Sequence, residues 1–180
     1  MRYDIEQIIF VFVVWPLAVA ALYYFIFRGR QRGFEALTSR TIQLRQSGIR
    51  QVYYLYSNSS YGNNSLPINN NAVWPLLNVG YIAYAQDGAL MVEAPWWHTM
   101  RPFARYQPNE VLLRPDDELL AMHAKPGIRI GDRIYVVAGI NITEIPLAKQ
   151  LWRVKDVSVL EANRQLLADD LLRMGFRFAD

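Results

Sequence analysis

Two histidines are the side chains of this 180-residue chain best suited to acid–base or metal chemistry. His98 follows Trp96 and Trp97, where a base, a metal ligand or a pH-sensitive group is conceivable, but an exposed turn residue accounts for it more simply. His123 precedes a Lys-Pro-Gly turn and is interpreted as a residue at a helix end, where positive charge suits the helix dipole. Neither histidine stands in a His-x-x-x-His or His-x-x-Glu spacing, so we predict no zinc or iron site.

The acidic residues and hydroxyls are not arranged for catalysis either. Asp116, Asp117 and Glu118 are consecutive, whereas a calcium loop needs spaced oxygen ligands, and a helix N-terminus explains these acids. Asp169 and Asp170 are expected on the solvated face of a helix. The chain has no cysteine, no Gly-x-Ser-x-Gly or Ser-x-x-Lys motif and no phosphate-binding glycine loop. We therefore predict no catalytic residue, no cofactor and no metal, and keep a membrane-anchored enzyme as the last alternative.

A long apolar stretch organises the rest of the chain. Residues 8–27, IIFVFVVWPLAVAALYYFIF, carry no charged side chain, and a helix of that length spans ~30 Å, the thickness of a bilayer core. Pro16 is tolerated in membrane helices, and Tyr23 and Tyr24 suit an aromatic belt at the interface. A cleaved signal peptide is the alternative, but bulky residues and then Arg28 follow where small residues would be needed for cleavage. We therefore predict a retained transmembrane helix.

The charges on either side of this stretch predict its orientation. Residues 28–50 carry several arginines against the single acid Glu35, whereas residues 1–7 carry one arginine and two acids. The positive-inside rule therefore places the N-terminus outside a bacterial inner membrane and residues 28–180 in the cytoplasm. The reversed topology, with the domain in a periplasm, is the competing hypothesis. We predict that the arginines of the basic flank contact the membrane surface, namely Arg28, Arg30, Arg32, Arg40 and Arg45.

The basic juxtamembrane segment, residues 28–48, also has helical character. A narrow, mainly apolar stripe runs at helical spacing through Phe34, Leu37, Thr41 and Leu44, and Gly48 is suited to end the helix. Such a helix could lie on the membrane surface or pack on the soluble domain. The sequence leaves both alternatives open.

The middle of the chain, residues 49–145, has the composition of a β domain. Residues 57–72 are rich in Asn and Ser and predict a long loop. Asp87 and Gly88 stand between two alternating apolar runs, which predicts a tight hairpin. The predicted strands cover residues 49–56, 79–85, 89–94, 103–107, 110–115, 128–130, 133–137 and 140–145.

The chain ends in helical sequence. Pro146 suits a first helical position, Gly175 suits a C-terminal cap, and residues 159–176 place leucines at helical spacing. The predicted fold class is α+β, with one N-terminal transmembrane helix, a mainly antiparallel β domain and C-terminal helices. The predicted segments are a short extracytoplasmic N-terminus at 1–7, the transmembrane helix at 8–27, the basic linker at 28–48, the β domain at 49–145 and the helices at 146–180.

One internal stretch carries a family resemblance. Residues 87–111, DGALMVEAPWWHTMRPFARYQPNEV, combine a glycine, an alternating apolar strand, an aromatic pair, a His-containing turn, a proline and a second apolar strand. Together with the order of the predicted strands and the closing helix, this stretch resembles bacterial membrane-tethered proteins with a pleckstrin-homology-like (PH-like) domain. The long Asn- and Ser-rich loop and the extra C-terminal helix depart from that pattern. The resemblance implies a PH-like β domain that binds or scaffolds.

Aromatic residues in the same stretch predict a partner contact. Trp96 and Trp97 are adjacent, so in a strand one of them must face outward, although both could equally pack beneath the long loop. With Met100 and Phe103 they form the predicted partner-contact patch.

These observations lead to a main hypothesis and an alternative. The main hypothesis is a non-catalytic accessory, assembly or scaffold subunit of an inner-membrane complex, and the alternative is a membrane-tethered module that binds anionic lipid or a soluble partner. The predicted partners are the lipid bilayer and other membrane-protein subunits. Nucleic acid is not predicted, because beyond the juxtamembrane stretch there is no basic run with interleaved aromatic residues. The oligomeric state is left open.

Overall fold

A computed structural model describes residues 10–57, 80–96, 98–115, 125–151, 154 and 156–179 of the chain. Several of the predicted features involve residues outside these ranges. The Asn- and Ser-rich loop beyond Ser57, the acidic triplet that begins at Asp116, His123 and Trp97 lie outside the described residues.

The first described element is one long helix. A π-helical turn, Phe10–Val14, leads into α1, Trp15–Gln46. Pro16 has no N–H to donate to the preceding turn, which is consistent with the wider hydrogen-bonding of that turn. The apolar part and the juxtamembrane part are therefore a single helix, and among the described residues it is the one helix long and apolar enough to cross a membrane.

The end of α1 is capped as predicted. Gly48 adopts φ +96°, a conformation in which glycine is free of strain. The Ile49 N–H then donates to the Leu44 carbonyl at 3.0 Å and the Gly48 N–H to the Arg45 carbonyl at 3.2 Å, the pattern of a Schellman motif. This turn directs the chain from the helix into the sheet.

The described strands and the remaining helices follow in a simple order. Asp87 and Gly88 form the predicted tight hairpin, with φ +51° and +71°. Pro146 lies in the first turn of its helix, and Gly175, at φ +94°, follows the last helix, both as predicted. The elements are β1 Val52–Ser57, β2 Tyr81–Gln86, β3 Ala89–Trp96, β4 Thr99–Tyr106, β5 Leu112–Pro115, β6 Ile128–Ile130, β7 Arg133–Ile140, α2 Ile145–Gln150, α3 Val157–Arg173 and β8 Arg177–Phe178.

The eight described strands form one sheet in the order β4-β3-β2-β1-β7-β6-β5-β8. Neighbouring strands are antiparallel except for β5 and β8, which are parallel. The sheet is curled. Three strands separate β4 from β7 in the strand order, yet side chains of these two strands are in contact. The hydroxyls of Tyr106 and Tyr135 lie 2.8 Å apart, and Tyr81 packs against both Tyr135 and Phe103. The curl encloses an inner core.

Two helices cover the two faces of the curled sheet. On the inner face, α3 contributes Leu167, Ala168 and Leu171 to the core. On the outer face, α1 contributes Leu37 and Leu44, which pack with residues of β1, β2 and β7: Val52, Tyr54, Ile82, Tyr84 and Ala138. The predicted α+β class, with an apolar N-terminal helix, a mainly antiparallel sheet and C-terminal helices, is confirmed at this level.

Two predicted strand assignments differ from the structure, and one short strand was not predicted. Residues 140–145 are not a strand, because β7 ends at Ile140 and the chain turns at Asn141, whose φ is +55° and whose side chain accepts a hydrogen bond from the Val52 N–H at 2.9 Å. β3 extends to Trp96, two residues beyond the predicted end at residue 94, because Pro95 and Trp96 pair with Met100 and Thr99 of β4. The short strand β8 was not predicted, because two residues are too few to show alternation.

Candidate functional site around the long helix

A carboxylate holds α1 against the sheet. Arg40 donates from Nε to Oε2 of Glu93 at 2.9 Å and from Nη2 to Oε1 at 2.8 Å. Tyr84 donates to the same Oε1 at 2.6 Å. Glu93 is buried, with 4% of its surface exposed, so its carboxylate oxygens need these hydrogen-bond partners. We name Arg40, Tyr84 and Glu93 the latch.

The electrostatics of the latch agree with its geometry. The hydrogen bonds to Glu93 raise the pKa of Arg40 above its ordinary value, so its guanidinium stays charged. Burial, with the hydrogen bond to Glu93, raises the pKa of Tyr84 to about 12, which keeps its hydroxyl protonated as a donor. Two parallel hydrogen bonds between a guanidinium and a carboxylate also fix the relative orientation of the two groups. The latch therefore restricts the orientation of α1 on β3.

Sequence reasoning missed Glu93 and assigned Arg40 to the membrane surface. In the structure the Arg40 guanidinium binds Glu93 within the domain. We therefore remove Arg40 from the predicted membrane-surface contacts. One sequence signal could have revealed this pair. Glu93 is the single acid in the apolar run ALMVEA, and a buried acid is almost always paired.

The short helix α2 holds α1 from a second side. Lys149 donates from Nζ to the side-chain oxygen of Gln31 at 2.9 Å, and the fully buried Ala148 packs against Phe34. Of the two alternatives for the juxtamembrane helix, packing on the domain is therefore the one the structure adopts. Its buried residues are Gly33, Phe34, Ala36, Leu37, Thr38, Thr41 and Leu44.

The remaining arginines are spread along α1. Arg28 directly follows the apolar stretch and donates to the Tyr24 hydroxyl, with its guanidinium carbon 5.8 Å from the ring centre. Arg30 and Arg32 are half-buried in the next turn. Arg45 is exposed but lies 17 residues beyond Arg28, ~25 Å farther along the helix. Arg28, Arg30 and Arg32 thus form one basic group, and Arg45 does not belong to it.

A shallow groove lies between Arg28 and Arg32 of this basic group. It encloses about 210 Å³ and is lined by Tyr24, Phe25, Arg28, Gly29 and Arg32. Because Gly29 has no side chain, the two arginines one turn apart border an open patch of helix. The groove lies where the apolar residues end and the basic residues begin.

The residues of the predicted partner-contact patch differ in their exposure to solvent. Trp96 lies at the end of β3 with 39% of its surface exposed, and the Arg101 guanidinium carbon lies 5.1 Å from its ring centre. Met100 is half-buried and packs against the cluster that contains Leu37. Phe103 is half-buried and packs against the inner core, with the Arg133 guanidinium carbon 4.5 Å from its ring centre, so only part of its ring is open to a partner.

The remaining candidates for acid–base chemistry, metal binding or small-molecule binding are His98, the acidic side chains and a second cleft. His98 is exposed in the turn between β3 and β4. Within the described residues, no three His, Cys, Asp or Glu side chains are grouped to hold a metal. A second cleft, lined in part by Tyr53 and Asp170, encloses about 170 Å³, below the ~300 Å³ at which small-molecule sites begin. Tyr53 donates to Asp170 there at 2.6 Å, which closes the sheet onto α3.

Comparison with protein-family models, with curated proteins and with solved structures gives no match. A function is therefore inferred from the geometry of α1 and the surfaces next to it.

Proposed function

We propose that this chain is a non-catalytic accessory or scaffold subunit of a bacterial inner-membrane protein complex, anchored by one transmembrane helix. The observation that carries the proposal is the division of α1 into two halves. None of its most apolar part is buried, whereas its second half is built into the outer core and fastened by the latch. A domain joined in this way has a set orientation relative to whatever surrounds the apolar half.

The exposed apolar half supports a membrane-spanning role. Large side chains from Phe10 to Phe27 project in all directions, with exposures such as 74% for Phe12 and 70% for Phe27. Water would solvate such a cylinder poorly, while lipid or partner helices would cover it. A cleaved signal peptide fits less well, because cleavage after the apolar stretch would cut within a continuous helix that belongs to the domain.

The orientation and the fold family are part of the same proposal. The arginines that follow Phe27 support an outside N-terminus and a cytoplasmic domain. The antiparallel strand order, the curl that brings β4 to β7 and the helix α3 on the inner core support a PH-like domain. Since a fold of that kind does not determine a function, the scaffold role rests on α1.

The first experiment is purification of tagged full-length protein in mild detergent, with partners identified by mass spectrometry. A subunit should bring partners in a fixed ratio that persists at high salt, because apolar contacts between helices are not screened. The matched control replaces residues 10–27 with leucines, which keeps the segment apolar and long enough to span the bilayer but changes the helix surface. We expect this variant to reach the membrane without its partners. Recovery of the native chain alone would contradict the subunit role.

The topology has its own test. The chain contains no cysteine, so a single Gln46→Cys change at the exposed end of α1 can be labelled specifically. A membrane-impermeant maleimide should label this cysteine in inside-out vesicles and not in intact spheroplasts. Labelling in spheroplasts would establish the reversed topology.

A further inference from the structure

We propose that the β3–β4 tip of the domain, formed by Trp96 and by residues 98–101, docks onto the headgroup layer of an anionic phospholipid bilayer beside the end of the apolar half of α1. The inference rests on the proposed transmembrane role of α1 and adds a second membrane contact to it. The surface involved consists of the β3–β4 tip, the basic group Arg28, Arg30 and Arg32, and the exposed side of α2. We name it the docking surface.

The direction of β3 places the tip near the apolar half of α1. The start of β3 lies by the end of α1, since Leu90 lines the same cleft as Gly48 and Ile49. Midway along β3, Glu93 is bonded to Arg40. From its first residue to its last, β3 therefore runs back along α1 towards the N-terminal half of the helix.

The distances place the tip at the outer edge of the headgroup layer. From Glu93 to Trp96 the strand advances ~10 Å, and the same distance along α1 leads from Arg40 to about Gly33. Gly33 is six residues, or ~9 Å, beyond Phe27. A headgroup layer adds ~5–8 Å to each side of the hydrocarbon core, so an indole at this level reaches it.

A second segment lies at the same level on another side of the helix. The contact between Lys149 and Gln31 places α2 four residues beyond Phe27. Its Leu147 is 46% exposed. An exposed leucine at this level is suited to the boundary between lipid and water.

The side chains of the docking surface have the chemistry of an anionic interface. Trp96 carries a cation over its ring, and a tryptophan with one apolar side and one wet side is typical of interfacial positions. Arg101 is exposed, and guanidinium groups bind phosphate oxygens in pairs. The groove at Gly29, between Arg28 and Arg32, is open for one such phosphate. No acid lies within the β3–β4 tip or the basic group.

Depth measurements on full-length protein in lipid nanodiscs test the proposal. Single-cysteine variants carry a spin label at His98→Cys in the tip, at Gln86→Cys at the opposite end of the β2–β3 hairpin, and at Ala20→Cys in the apolar half. Nanodiscs contain either phosphatidylcholine alone or phosphatidylcholine with phosphatidylglycerol. Collision with oxygen and with a water-soluble nickel complex reports whether each label lies in lipid, at the interface or in water.

We expect the label at residue 98 to report the interface in anionic nanodiscs and the label at residue 86 to stay in water. The Arg101→Gln change should shift the tip towards water, with about a fivefold change in the docking equilibrium, and ~1 M salt should act in the same direction. A label at residue 98 that stays in water in anionic nanodiscs overturns the proposal. So does an interfacial label that neither Arg101→Gln nor salt shifts, because anionic headgroups would then not be the ligand.

The label at residue 20 separates this proposal from the one it rests on. If the label at residue 20 lies in hydrocarbon and the label at residue 98 lies in water, the docking surface is overturned and the transmembrane role is retained. A wet label at residue 20 would overturn both.

Discussion

Arg40 and Glu93 are 53 residues apart in the chain and are joined by two hydrogen bonds of 2.9 and 2.8 Å. This pair connects α1 to β3 and so connects the apolar helix to the domain. The two partners are unequally solvated, because the Arg40 side chain is 36% exposed and the Glu93 side chain is 6% exposed. The latch therefore responds differently to the loss of either partner.

Removal of the arginine should be the more damaging change. Arg40→Met leaves a buried carboxylate without its cation, and we expect the free energy of unfolding to fall by about 3 kcal/mol. Glu93→Gln leaves a partly solvated guanidinium, and we expect a loss of about 1–1.5 kcal/mol. Denaturant unfolding in detergent measures both, with the exposed Arg45→Gln as the matched control at under about 0.5 kcal/mol. Equal effects of the three changes would show that the latch does not hold the helix.

The second half of α1 should be required for folding. A fragment of residues 31–180 keeps Leu37 and Leu44 on the sheet, whereas a fragment of residues 49–180 removes both. Each buried leucine contributes about 2–5 kcal/mol, a large share of the ~5–15 kcal/mol that stabilises a domain. We expect a cooperative unfolding transition by circular dichroism for the longer fragment and none for the shorter one.

Single substitutions on α1 provide the control for this truncation. Leu37 is fully buried and Ile42 is 40% exposed on the same helix. Leu37→Ala should lower the stability of the longer fragment by about 2–5 kcal/mol and Ile42→Ala by less than about 1 kcal/mol. Similar losses at the two positions would mean that α1 does not pack as described.

Alkaline pH should destabilise the domain through its buried phenols. The pKa of Tyr84 is raised to about 12 by burial and by its hydrogen bond to Glu93, above the unfolded value of ~10. The folded state therefore retains a proton that the unfolded state loses, so the contribution is complete below pH ~10 and is lost as pH rises towards ~12. Unfolding free energies measured across this interval should fall less steeply for Tyr84→Phe. An unchanged slope would contradict the role of Tyr84.

Two glycines with positive φ should tolerate alanine to different extents. Gly88 has open space around it, whereas a Cβ at Gly80 would lie 2.7 Å from the Leu55 carbonyl oxygen. Alanine at either position adopts a left-handed conformation at a cost of about 1–2 kcal/mol. At Gly80 the clash with backbone adds about 1–3 kcal/mol. Thermal unfolding of Gly80→Ala and Gly88→Ala tests this order, and a more damaging Gly88→Ala would refute it.

The elements that depend on short segments were predictable from sequence. The apolar run of residues 8–27, the hairpin at Asp87 and Gly88 and the cap at Gly48 each depend on hydropathy or on the backbone freedom of a few residues. Their physical causes lie within one or two turns of chain, so the pattern of residue types is sufficient to predict them.

The surfaces and contacts were decided only by the tertiary structure. Trp96 and Phe103 look alike in sequence, yet the curl of the sheet packs Phe103 against Tyr81 and leaves Trp96 exposed at the tip. Arg28 and Arg40 are both arginines of one basic segment, yet only Arg40 faces Glu93. The cause is long-range, because each outcome depends on strands that are distant in sequence and pair only when the chain has folded.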